Sequence, residues 1–185
     1  MPLGGKPEFA ASDGKGKIYV NIEDKSELVE FDAQKLKVNN RWKLAPCEEP
    51  TGLSMDRKHH RLFVGCGNKM MAVVNAENGK VVTTLPIGEG VDATAFDPET
   101  KLAFASCGRD AVLTIIHQDS PDKYSVAQNV PTERGARTMA LDPITHKIYL
   151  VTAQFGPPPA ASADNPHPRP SVVPGTFELI TVGPK

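Results

Sequence analysis

The sequence predicts an all-β fold made by repeating one small unit four times. Three observations predict it. An aspartate followed six or seven residues later by an aromatic in a short apolar run recurs at Asp13/Tyr19, Asp56/Phe63, Asp97/Phe104 and Asp142/Tyr149. The aspartates stand 43, 41 and 45 residues apart. No unit holds a ten-residue stretch of helical periodicity free of Gly or Pro, which removes a solenoid of helical pairs. A period of about 40 to 45 residues with β-type runs inside it marks propeller blades. The expectation is a β-propeller section of about four four-stranded antiparallel blades, the last one incomplete.

The first unit reads as strands at Glu8–Ala11, Lys17–Asn21, Leu28–Asp32 and Asn40–Leu44. In the second, Thr51–Asp56 leads through the charged turn Arg57–His60 to Arg61–Gly65. Met70–Asn75 follows, and after the turn Ala76–Gly79 comes Lys80–Leu85. These are short β-branched or apolar runs separated by Gly, Asn and Asp, the pattern of a meander. The third unit repeats the plan at Thr94–Asp97, Lys101–Ser106, Ala111–Ile116 and Tyr124–Ala127. The fourth opens with Thr138–Asp142 and Lys147–Val151. It is then interrupted by a stretch from Gln154 to Gly175 with seven prolines, which reads as an extended loop outside any sheet ladder. Phe177–Val182 resumes as a third strand. The organisation is therefore blades one to three and the start of blade four over residues 1–153, a Pro-rich insertion over 154–175, and a terminal strand within 176–185.

With Lys+Arg 21 against Asp+Glu 22, the net charge of −1 gives no field to draw the chain to nucleic acid or an anionic membrane. No apolar run approaches the ~20 residues of a membrane span. The opening Met1–Pro7 has neither the basic nor the apolar region of a signal peptide. Three cysteines, none in CxxC, read as free thiols. Cys66 and Cys107 hold equivalent positions in neighbouring units and are expected to stand too far apart to bond.

The runs Lys17-Ile18-Tyr19-Val20-Asn21, Arg61-Leu62-Phe63-Val64-Gly65 and Lys147-Ile148-Tyr149-Leu150-Val151 resemble the YVTN β-propeller repeat family. Asp32 and Asn75-Ala76-Glu77-Asn78-Gly79-Lys80 fit the same pattern. The resemblance covers about residues 3 to 153 plus 176 to 182. It implies the fold, and points for activity to lactonases, dehydrogenase-like proteins or plain binding modules. It also implies export to the periplasm or exterior, which this N-terminus does not show. Leu3–Phe9 matches an inter-blade turn like Leu44–Pro50, so the chain looks like the C-terminal half of a larger propeller. An open arc exposes blade faces that a ring buries. Self-association or a second propeller half is the expected partner, with eight blades permitted for a symmetric pair.

Chemistry on a propeller belongs at the channel mouth, where loops of several blades converge. One loop set holds Cys47-Glu48-Glu49, Gly88–Asp92 and Glu133–Arg137; the other holds Glu23–Lys25, Cys66–Lys69 and Cys107–Asp110. Glu48, Glu89 and Asp92 are candidate ligands for a hard cation such as Ca²⁺, with a carbonyl from Asn68. Such an ion would suit a lactonase acting on sugar or acyl-homoserine lactones, with Glu89, Asp92 and Arg137 as catalytic candidates. Arg109, Arg134 and Arg137, with Asn68, are candidates for holding an anionic ligand. Asp13, Asp56, Asp97 and Asp142 recur once per blade at a strand-to-turn junction and read as turn-fixing groups. His59, His60 and His146 lie in turns on the opposite face and read as solvated; His117 ends a strand and His167 lies in the proline loop. Trp42, between Arg41 and Lys43, reads as edge packing. The leading expectation is a binding platform for a small molecule or protein, the second a lactone hydrolase, and the third, weaker one a fragment of a redox quinoprotein.

Overall fold

The computed structural model describes residues 1–162, 165–166 and 168–184. His167 lies outside the described residues. Among the described residues, fifteen strands form four separate antiparallel sheets. Blade 1 is β1 (Pro7–Ser12), β2 (Lys17–Ile22), β3 (Glu27–Asp32) and β4 (Lys37–Lys43), with a single 3-10 turn at Glu23–Lys25. Blade 2 is β5 (Pro50–Asp56), β6 (Arg61–Cys66), β7 (Met70–Asn75) and β8 (Val81–Pro86). Blade 3 is β9 (Val91–Asp97), β10 (Leu102–Cys107), β11 (Val112–Ser120) and β12 (Lys123–Pro131). Blade 4 has β13 (Thr138–Asp142), β14 (Lys147–Thr152) and β15 (Glu178–Val182). Strand order follows chain order in every sheet, so each blade is a simple meander. The molecule is a partial β-propeller.

The forty-odd-residue beat is a packing rule. On the second strands of blades 1 to 3 the aromatic points at the next blade, and on those of blades 2 to 4 its neighbours point at the previous one, as strand alternation requires. Tyr19 packs with Leu62, Val64 and Cys66 between blades 1 and 2. Phe63 packs with Ala103, Ala105 and Cys107 between blades 2 and 3. Phe104 packs with Ile148 and Leu150 between blades 3 and 4. Phe63 is fully buried, stacked on Phe96 at 4.8 Å and edge-on to Tyr124 at 5.8 Å.

The recurrent aspartates fix turns. Asp13 accepts from the N–H of Lys15 and Lys17, Asp56 from Lys58 and His59, Asp97 from Glu99, and Asp142 from Ile144. Two of them also stitch blades together. Buried Asp56 accepts from Gln118 of blade 3 at 2.9 Å, and buried Asp97 pairs with His146 of blade 4 at 2.7 Å. Here His59 and His146, unlike His60, depart from the expectation of solvated turn groups. His59 is only 31% exposed and His146 only 26%, each held by a buried carboxylate.

Four further expectations are corrected. Cys47 and Cys66 form a disulfide with Cα atoms 5.4 Å apart, and only Cys107 is free. Comparing equivalent positions set Cys66 against Cys107; the partner instead comes from the inter-blade linker, which folds Cys47 over the end of β6. Trp42 is an interface residue, stacked on Tyr19 at 6.5 Å and packed into the blade 1–2 core. The outer hairpin of blade 3 is longer than read, nine residues in each of β11 and β12, because two register shifts carry the ladder past the polar run Gln118–Ser120. The base of the Pro-rich stretch is also zipped: Phe155 bridges Val172, Gly156 donates to Ser171 and Val173 to Gln154, both at 2.9 Å.

Candidate functional site

The inter-blade linkers and the loops between second and third strands share one face, as the repeat requires. Gly67 donates to the carbonyls of Glu48 and Glu49, and Gly108 to that of Gly90. Gly135 in turn donates to Gly108. This ladder ties each linker to the loop beside it. Close approach depends on small residues: a side chain at Gly108 would stand 2.9 Å from Cβ of Arg137, and Gly90, at φ +76°, lies against the Arg109 backbone.

A cavity of about 1050 Å³ opens on this face across blades 3 and 4. Gly90, Gly108 and Arg109 line one side, Glu133, Arg134, Gly135 and Arg137 the floor of the next linker. Thr152 to Gly156, Pro158, Pro170 and Glu178 complete the wall. Three sequence candidates therefore meet here: Arg109, Arg134 and Arg137. The wall from the Pro-rich stretch was missed by sequence reasoning. Its signal is positional, since Ala153–Phe155 follows β14 where Gly67–Lys69 follows β6.

The three arginines differ electrostatically. Arg109 is bound by Glu89 at 2.6 Å, and Lys69 reaches the other oxygen of Glu89 at 2.8 Å. These bonds, that of Lys69 first and that of Arg109 next, hold the Glu89 carboxyl at about 2. Such a group stays ionised at neutral pH and is a poor proton acceptor. Arg137 stands 3.9 Å from Asp92, a loose pair. Arg134 makes no ion pair among the described residues; its carbonyl accepts from Thr152 at 2.8 Å. Glu133 and Glu178 share the lining, so charge there is divided rather than uniformly positive.

The other candidates do not line this cavity, although Glu89 and Asp92 pair with its arginines. Asn68 is occupied with backbone: its oxygen accepts from Glu48 N–H at 3.2 Å and its amide donates to Pro46 at 2.8 Å. Glu48 belongs to the blade 1–2 linker and Glu89 to the blade 2–3 linker, while Asp92 is the second residue of β9. Among the described residues there is no group of three or more His, Cys, Asp or Glu side chains placed to hold a metal ion. Buried Cys107 has its thiol pushed up to about 12, chiefly by loss of solvation.

The fold is similar to hydrazine synthase of Kuenenia stuttgartiensis, with a TM-score of 0.72 and 14% identity over 85% of this chain and 47% of that one. It is also similar to the β-propeller domain of Cps50 (Swd1) from Myceliophteria thermophila, with a TM-score of 0.63 and 14% identity over 82% of this chain and 51% of that one. The chain thus spans about half the length of each. At this identity the likeness defines a class, the β-propeller, and nothing narrower. No protein-family model matches the chain, and no curated protein matches it in sequence.

Proposed function

We propose that this chain is a YVTN-type propeller module that acts as a recognition platform, binding an anionic small molecule in the cavity across blades 3 and 4. The observation that carries the proposal is the convergence of Arg134 and Arg137 from one linker on a cavity of about 1050 Å³, with Arg134 free of any ion pair among the described residues. Guanidinium forks suit carboxylate and phosphate oxygens, and a cavity of this size is at the upper end of small-molecule sites. Arg109 contributes less, because Glu89 already satisfies it. The YVTN assignment is supported by the three quoted second-strand runs. An exported location is supported by the Cys47–Cys66 disulfide, since such bonds persist in oxidising compartments.

Calorimetry with aldonates, citrate and inorganic phosphate tests the proposal. At least one should bind, and Arg134→Ala or Arg137→Ala should each weaken it about ten- to a hundredfold, the loss of one charge-assisted hydrogen bond. Binding indifferent to both changes, or no binding across the set, overturns it. Acid release from sugar and acyl-homoserine lactones, followed with the same protein, separates platform from enzyme. Turnover abolished in Glu89→Ala or Asp92→Ala would replace the platform with a lactonase.

A further inference from the structure

Every internal blade junction obeys the same rule, and the two terminal faces carry the halves of one more such junction. The aromatic positions Tyr19, Phe63 and Phe104 are 3%, 0% and 5% exposed because the next blade covers them. Tyr149 holds the same position on β14, paired with Ala140 and Thr181, on a face that no described residue packs against as those three are packed. Val151 and Leu179 continue that face, and Leu179 is 62% exposed. At the other end, Ile18 pairs with Phe31 and Phe31 with Val38, all half-buried, on the blade 1 face that in blades 2 to 4 receives the preceding aromatic.

The hydroxyls make the match specific. Two of the four aromatic positions are Tyr, in blades 1 and 4. The Tyr19 hydroxyl donates to the Ala76 carbonyl in the third-to-fourth-strand turn of blade 2, at 3.2 Å. That turn begins Asn75-Ala76, with Ala76 N–H bonded to the His60 carbonyl. Blade 1 has its counterpart, Asp32-Ala33, with Ala33 N–H bonded to the Gly16 carbonyl. The corresponding place in blade 3 is Gln118, bonded to Lys101, and the aromatic facing it is Phe63, with no hydroxyl to donate. Tyr19 thus meets an alanine turn, and blade 1 offers a second one at Ala33.

We propose that blade 4 docks on blade 1 of a second copy of this chain, with Tyr149 donating to the partner's Ala33 carbonyl. Two arcs, each spanning about half of a similar propeller structure, meet twice about a two-fold axis and close an eight-bladed ring. Eight blades lie within the range that propellers adopt. Closure makes the second contact intramolecular, so two modest interfaces reinforce each other. The proposal rests on the propeller fold and not on the ligand site, so it stands or falls separately from the platform.

Sedimentation equilibrium of the full chain, from low to high micromolar, tests it. The expected mass is twice 19.9 kDa. Tyr149→Phe, which keeps the ring and deletes the hydroxyl at both junctions of the pair, should weaken it about thirtyfold, the worth of two hydrogen bonds. Tyr149→Arg should leave monomer with an unchanged β-sheet circular dichroism spectrum. Should the Arg variant fail to fold, the Phe variant still decides. A monomer at every concentration, open-ended growth, or a dimer insensitive to Tyr149→Phe overturns the proposal.

Discussion

Reducing the Cys47–Cys66 bond should cost about 3 kcal/mol of folding stability. The bond closes a loop with a sequence separation of 19 residues. In the chain-entropy account a loop of that length removes about 11 cal/mol/K from the unfolded ensemble, hence about 3 kcal/mol at 25 °C. Against a typical total of about 5 to 15 kcal/mol, that is a large share. It should also be local, because the crosslink pins the blade 1–2 linker to the end of β6 while blades 3 and 4 lie beyond it. Both sulfurs sit in the apolar blade 1–2 core, so a double Cys→Ala variant avoids stranding a hydroxyl there. The assay is urea unfolding with and without reductant, read beside thiol titration. Native protein should react with no thiol reagent, because Cys107 is buried and its thiol is pushed up to about 12. Unfolded without reductant it should expose one thiol, and with reductant three. Three reactive thiols in unreduced, unfolded protein would remove the bond altogether. A reduced protein as stable as the oxidised one would refute the entropic reasoning while leaving the bond in place.

The remaining predictions concern the blade junctions. Phe63→Ala, at the centre of the blade 2–3 core, should destabilise by about 3 to 5 kcal/mol, measured by denaturant midpoint. Gly79→Ala should also destabilise, by about 1 to 3 kcal/mol, since Gly79 has φ +71° and a Cβ there falls on the Trp42 ring; quenched or shifted Trp42 fluorescence would report the displaced ring. For Asp56 and Asp97, burial pushes the carboxyls up, but donated hydrogen bonds, from Gln118 to Asp56 and from His146 to Asp97 among them, win and hold both below the ordinary carboxyl value. The unfolded chain then binds more protons in acid. Stability from these groups is complete above their ordinary range near ~4 and is lost as pH falls through the depressed values. Gln118→Ala should flatten that acid loss in a series of melts from neutral pH downward; an unchanged profile would count against the inter-blade tie.

Much of the fold was legible because β-meanders write their period into the chain. Asp56 and Asp97 mark their turns in sequence and do the same work in space, accepting the N–H groups that follow them. The second strands are short continuous apolar runs, which marks them as strands buried on both sides between neighbouring blades. The mouth was legible to the level of loops: Arg109, Arg134 and Arg137 come together as the blade plan requires. Which arginine is available was not, since that depends on Glu89 sitting between Lys69 and Arg109. His146 was misread for the same reason, because its partner Asp97 lies 49 residues away in the neighbouring blade.

The sequence by itself determined the repeat and the strand boundaries to within a few residues. These are local properties, carried by short apolar runs and by turn chemistry within single units. Only the tertiary structure decided the Cys47–Cys66 bond, the cavity wall supplied by Phe155 and its neighbours, and the inter-blade ties at Asp56 and Asp97. Each of those joins groups from different loops or blades, and their distances are set by how one twisted sheet leans on the next.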